Sequence, residues 1–259
     1  MRVSSTCEEQ PASVLRQLRD WFAGDAGRGL MAAEQALLER LAEGLFGYYL
    51  VDVQGVGGLA PFADCPVRHK LRLAAVPAHE PAGSMDIVAQ GEQLPLRSDA
   101  IDAVVLHHAL DFSVDPHQVL REVERVLIAE GRVLIVGFNP LSLWGLWRLA
   151  LRWRGSVPWC GHFLSYRRVA DWLGLLGFDI EYTDVAAFVP PLPAQWERRL
   201  GLVERLGRRV LPMFGGVYVI RAVKRVSTIT PVKLRWRGLR VLSPAGVIEP
   251  SARREREEP

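Results

Sequence analysis

The apolar positions of this chain fall into two rhythms, one of helices and one of buried strands. Residues 31–45 (MAAEQALLERLAEGL) place Leu37, Leu38, Leu41 and Leu45 on one helical face. A shorter amphipathic stretch, 13–22, precedes them, with a loop expected at 24–29. Residues 48–53 (YYLVDV) form an unbroken apolar run of the kind buried on both faces, leading directly into a glycine-rich turn. Further strands are predicted at 69–76, 86–90 and 101–106. Asp115-Pro116 marks a helix start, because proline in the first turn loses no hydrogen bond. Val119, Leu120, Val123, Val126 and Leu127 then recur at helical spacing, Gly131 is read as the helix end, and 132–136 (RVLIV) is the next strand. Strand, helix and strand in that order make a parallel βαβ unit.

Beyond Pro140 the pattern continues with a Trp- and Arg-rich helix at 141–154 and a helix at 165–176 stopped by Gly177. Strands follow at 178–183 and 217–223, separated by a Pro-rich loop and a helix at 195–210. The expected fold is therefore α/β: a Rossmann-like, doubly wound, mostly parallel sheet of about seven strands, with helices on both faces and one antiparallel strand near an edge. Residues 1–28 are expected to form an N-terminal extension, 29–226 the main domain with 141–170 as a lid or insertion, and 227–259 an extended or disordered tail.

Composition narrows this picture without overturning it. The 259 residues carry a net charge of +3, with arginines concentrated after Trp144. Three scattered cysteines, Cys7, Cys65 and Cys160, lack metal-ligand spacing and suit a reducing compartment, so the expectation is a cytoplasmic chain without a metal site. The first residues do not read as a secretory signal, and no run is apolar enough to span a bilayer.

The stretch LPLRSDAIDAVVLHHALDFSVDPHQVLREVERVLIAEGRVLIVGFNP (94–140) closely resembles the second half of the Rossmann-like S-adenosylmethionine-dependent methyltransferases, of the methyltransferase type 11 kind. Members share a Leu-Pro turn, a strand beginning with Asp, a His-rich loop, a Leu-Arg-Glu helix and an Arg-Val-Leu end. The likeness covers roughly 31–224 and is closest to small uncharacterised bacterial proteins sharing GFNP-LSLWG and DWLGLLGF. It implies S-adenosylmethionine as cofactor, methyl transfer as chemistry, and a cofactor grip from Asp52, Gly55, Gly57, Gly58, Gln90, Gly91, Glu92 and His107. The first half departs from the family pattern. Gln54 and Val56 stand where glycines are usual, Val76-Pro77-Ala78 replaces the ribose-binding acid, and Gln90 replaces an acid near the adenine.

His107 and His108 leave a strand at the sheet edge where α/β folds bind ligands. With His162, after WCGHF, they are the residues to weigh as a base; each could equally be structural. Asp115 reads as a helix cap, and Asp111 as a candidate substrate contact. The leading reading is a methyltransferase of an unidentified small molecule. One alternative is a degenerate binding or regulatory protein on the same scaffold. Another is a membrane-peripheral enzyme of a lipid-soluble substrate, touching the bilayer through 141–154. Asn139-Pro140 follows the fifth strand, not the fourth where amino-methylating enzymes carry Asn-Pro-Pro-Tyr, so nucleic acid is not an expected partner.

Overall fold

Strand β1 (Tyr49–Val53) is flanked on one side by β2 (His69–Ala74) and β3 (Met85–Val88), and on the other by β4 (Ile101–His107), the central strand of the sheet. The computed structural model describes residues 11–53, 62–74, 85–151, 157–188 and 214–226. The sheet continues through β5 (Leu127–Phe138), β7 (Val217–Lys224) and β6 (Phe178–Ala186), in the order β3-β2-β1-β4-β5-β7-β6. Every neighbouring pair is parallel until β7, which runs antiparallel to both β5 and β6. The mostly parallel seven-stranded expectation is thereby met, with the antiparallel member one place in from the edge.

Two apolar layers sandwich this sheet, as its doubly buried strands require. Val51, Val104, Leu106, Val133 and Ile135 face α4 (Pro116–Val126) and α6 (Tyr166–Leu175). Leu50, Ala103, Val105, Leu134 and Val136 face α1 (Pro11–Ala23), α2 (Asp25–Ala42) and α5 (Leu143–Leu151). A single turn, α3 (Ala109–Phe112), follows β4. Residues 13–22, read as part of an extension, send Val14, Leu18 and Phe22 into the core.

Three local expectations are corrected. The loop expected at 24–29 is helical from Asp25, because Gly27 lets the helix begin against the backbone of Trp21, where a Cβ would lie 2.4 Å from the carbonyl oxygen. Helix α4 ends at Val126, not at Gly131, since Leu127 already pairs with Ile101 as the first residue of β5. The turn-forming signal at 129–131 instead makes an irregularity inside β5, with Glu130 at a positive φ of 62°. The Trp/Arg helix starts at Leu143 and not at 141, and it is described as far as Leu151, the remainder to 154 lying outside the described residues. The glycine loop at 54–58, the helix expected at 195–210 and the tail lie outside the described residues.

Candidate functional site

In an open α/β sheet the ligand crevice lies outside the carboxyl ends of the strands where the order reverses, here between β1 and β4. Asp52 sits near the end of β1, 1% exposed, in register with Arg72 of β2 and Val105 of β4. Strand alternation puts it on the same face as Leu50, and hence on the same face as His107. After β3, Gln90 is exposed and Gly91 is buried. A Cβ at Gly91 would meet Val119 and Val53 at 3.4 and 3.6 Å, ordinary contact, so packing alone does not demand glycine there. Glu92 accepts a hydrogen bond from the Val114 N–H at 3.1 Å, tying the turn after β3 to the loop after α3. Gly55, Gly57 and Gly58 lie outside the described residues.

The end of β4 carries a feature the sequence reading missed. His107 and His108 are buried, and both imidazoles meet Glu34 of α2. His107 Nε2 lies 2.8 Å from Glu34 Oε2, and His108 Nε2 lies 3.1 Å from Oε1. On its other side His108 Nδ1 is 2.9 Å from Asp111 Oδ2, which also accepts the Phe138 N–H at 3.0 Å. Phe138 stacks on His108 at 4.1 Å between centroids, and Phe22 closes in at 5.6 Å. His108 holds this place with a left-handed backbone, φ 56°, uncommon for a residue with a side chain.

The charges follow from that geometry. Burial alone raises the Glu34 carboxyl, but the charge of His108 and hydrogen bonds from both imidazoles outweigh it and lower it to about 2. Burial alone lowers His108, but Glu34 and Asp111 outweigh it and raise it to about 9. Asp111 is pushed up, chiefly by burial, against the pull of His108 and the N–H groups of Phe138 and Leu164. His108 is thus an imidazolium with both nitrogens engaged. The donor atoms of Glu34, His107 and His108 lie within 4.8 Å of one another, a grouping compatible with a cation although no metal site was expected. Here the three close on one another through hydrogen bonds.

Glu34 was legible in principle. It precedes Leu37, Leu38 and Leu41 by three, four and seven residues, so it lies on the apolar stripe of α2, where an acid needs a buried partner. His162 does not join the cluster: it is exposed, and only its backbone N–H reaches Asp111, donating to the carbonyl at 2.6 Å. Asp115 caps α4 as expected, accepting from the Gln118 N–H at 3.1 Å.

A second concavity, about 300 Å³, opens where β5, β6 and β7 meet α6. Its lining includes Leu141, Tyr166, Arg167, Val185 and Tyr218. Tyr218 pairs with Gly137 across the antiparallel ladder, where a Cβ would lie 2.5 Å from the phenol oxygen. Burial and the neighbouring Asp111 charge raise the Tyr218 phenol well above its ordinary value. Asp111 thus acts electrostatically on Tyr218 while it is hydrogen-bonded to His108.

Residues 69–135 match the family described as "Methyltransferase domain". The chain is 29% identical over 193 residues to the uncharacterised YafS of Escherichia coli K12, spanning 73% of this chain and 74% of that protein. A Thermotoga maritima structure described as a SAM-dependent methyltransferase, possible histamine N-methyltransferase, aligns with a TM-score of 0.55 at 19% identity, over 80% of this chain and 93% of that one. Geranyl diphosphate C-methyltransferase of Streptomyces coelicolor, solved with Mg2+, geranyl diphosphate and S-adenosyl-L-homocysteine, aligns at 0.52 and 21% identity, over 74% and 79%. Residues 69–135 thus match a methyltransferase domain, and the fold is the one shared with these S-adenosylmethionine-dependent methyltransferase structures.

Proposed function

We propose that the chain transfers a methyl group from S-adenosylmethionine to a small-molecule acceptor. The observation that supports this reading best is the parallel β1–β4 switch point, bordered by a segment that matches a methyltransferase domain. Asp52, Gln90, Gly91 and Glu92 stand on the two strand ends and the turn that border the crevice, and they would hold the cofactor together with Gly55, Gly57 and Gly58. Bound there, S-adenosylmethionine supplies an electrophilic methyl group for direct displacement. The chain's own part is positioning and exclusion of water. His107 would border the cofactor with its ring fixed by Glu34.

No general base is assigned. His108 already carries its proton and has no free nitrogen, so it acts as a positioning residue that fixes the end of β4. Among the described residues, His108 therefore offers no free imidazole nitrogen to take a proton from the acceptor. The cavity beside Tyr218 would take the acceptor, and its volume suits a small molecule.

The test is a thermal-shift or calorimetric titration of the full chain with S-adenosylmethionine and S-adenosylhomocysteine. Saturable binding of both is expected, and no binding at millimolar concentration overturns the proposal. The rival, a binding protein that has lost the cofactor, is favoured by Gln54, Val56 and the missing acid at 76–78. It predicts the empty titration.

A further inference from the structure

Helix α5 reads LWGLWRLAL and is apolar nearly all round. Its inner side is anchored by Trp144, 2% exposed, among Phe138, Trp159 and Trp21. Its outer side is bare: Leu143, Leu146, Trp147 and Leu149 are 51, 65, 42 and 56% exposed, and Leu141 just before it is 59% exposed. Helices of this kind are normally buried, and a contiguous exposed patch marks a contact with something apolar.

Charge selects among the occupants. Between Glu130 and Asp171 the chain has no acidic residue, and arginines stand at 148, 152, 154, 167 and 168. Arg167 and Arg168 are exposed at the start of α6, and the Arg148 guanidinium lies 5.0 Å over the Phe163 ring. Two copies meeting through the exposed Arg167 and Arg168 would bring like charges together. Leu and Trp flanked by arginine are instead the chemistry of an anionic bilayer interface, where the apolar face enters the acyl boundary and the cations meet lipid headgroups. Leu141 and Arg167 also line the cavity beside Tyr218, together with Asp184, so that cavity opens next to the apolar surface.

We propose that α5 and the start of α6 dock on an anionic lipid bilayer, and that the adjoining cavity draws an apolar acceptor from it. The docking stands by itself; only the role given to the cavity rests on the methyltransferase reading.

The experiment is co-sedimentation of the full chain, without cofactor, with vesicles of phosphatidylcholine alone or mixed with phosphatidylglycerol. Binding to the mixed vesicles is expected, with weak binding to the neutral ones and release by raised salt. The double variant Leu146→Glu, Trp147→Glu should lower partitioning by about tenfold or more while its far-ultraviolet circular dichroism and melting temperature stay unchanged. No binding to the anionic vesicles, or binding undiminished in the double variant, overturns the docking. A dimer in light scattering that dissociates in the variant assigns the face to a second copy. A lowered melting temperature without vesicles assigns it to another part of this chain; either result overturns the proposal. S-adenosylhomocysteine binding is scored separately, so lost docking with intact cofactor binding refutes this inference alone.

Discussion

Glu34 and His108 form one buried ion pair, and its pH dependence has a definite sign. His108 sits at about 9, above its ordinary 6.5, so its contribution to stability is complete below 6.5 and fades as pH rises through 9. Glu34 sits at about 2, below 4.5, so its contribution is complete above 4.5 and fades as pH falls through 2. Because both shifts describe the same pair, they are counted once. Glu34→Gln should cost about 3 kcal/mol, since it strands a buried imidazolium. Denaturant unfolding across pH should show the gap between wild type and variant widest between 4.5 and 6.5 and narrowing on both sides. A gap independent of pH would show that the pair is not ionised. Asp111 works in the opposite direction, its burial being an expense the fold carries at neutral pH. At Gly137 the argument is steric. Alanine there would press on the Tyr218 phenol, so Gly137→Ala should lose about 1–3 kcal/mol and displace the ring from the cavity wall, visible as changed tyrosine fluorescence.

The helix α4 explains why residues 94–140 were so legible. Its Leu-Arg-Glu-Val-Glu-Arg run looks like a surface pattern, yet Arg125 reaches back to the carbonyls of Leu94 and Leu96 at 3.0 and 2.9 Å. Glu122 holds that guanidinium at 2.8 Å and also accepts the Leu94 N–H at 3.0 Å. The Leu-Pro turn and the helix motif are therefore one brace, which sets the entry into β4. Arg125→Met should cost about 2 kcal/mol and slow no chemistry of its own; a variant as stable as wild type by urea denaturation would refute the brace. The same segment shows where reading by pattern stops. A helix continuing to Gly131 fits the periodicity, but pairing with β4 claims Leu127 for the sheet, a long-range interaction that no local signal carries. The site was half legible for a similar reason. His107 and His108 could be placed at a strand end from sequence, whereas their partner Glu34 lies 73 residues away from His107 and was visible only as an acid on an apolar stripe.

At the scale of the molecule the sheet divides the work. The strands β1, β2 and β3 lie on one side of the switch point, and β5, β7 and β6 on the other, with β4 and its His108 cluster at the boundary. The cofactor reading assigns ligand contacts to the first side and to β4, while the cavity belongs to the second. Hydrogen exchange can see this division, because a ligand that bridges strand ends suppresses their local opening. Saturating S-adenosylhomocysteine should slow exchange in the peptides covering 50–53, 89–93 and 107–113. The peptides covering 183–186 and 217–219 should exchange as before. Protection confined to the second group would place the nucleoside in the cavity beside Tyr218 and reverse the assignment of the two halves. The Glu34→Gln variant sharpens the experiment. If Glu34 holds the end of β4 in its binding conformation, residues 107–113 should exchange faster in the unliganded variant and the ligand's affinity should fall, since part of the binding free energy must then order that end. Unchanged affinity with faster exchange would confine the Glu34–His108 pair to stability alone.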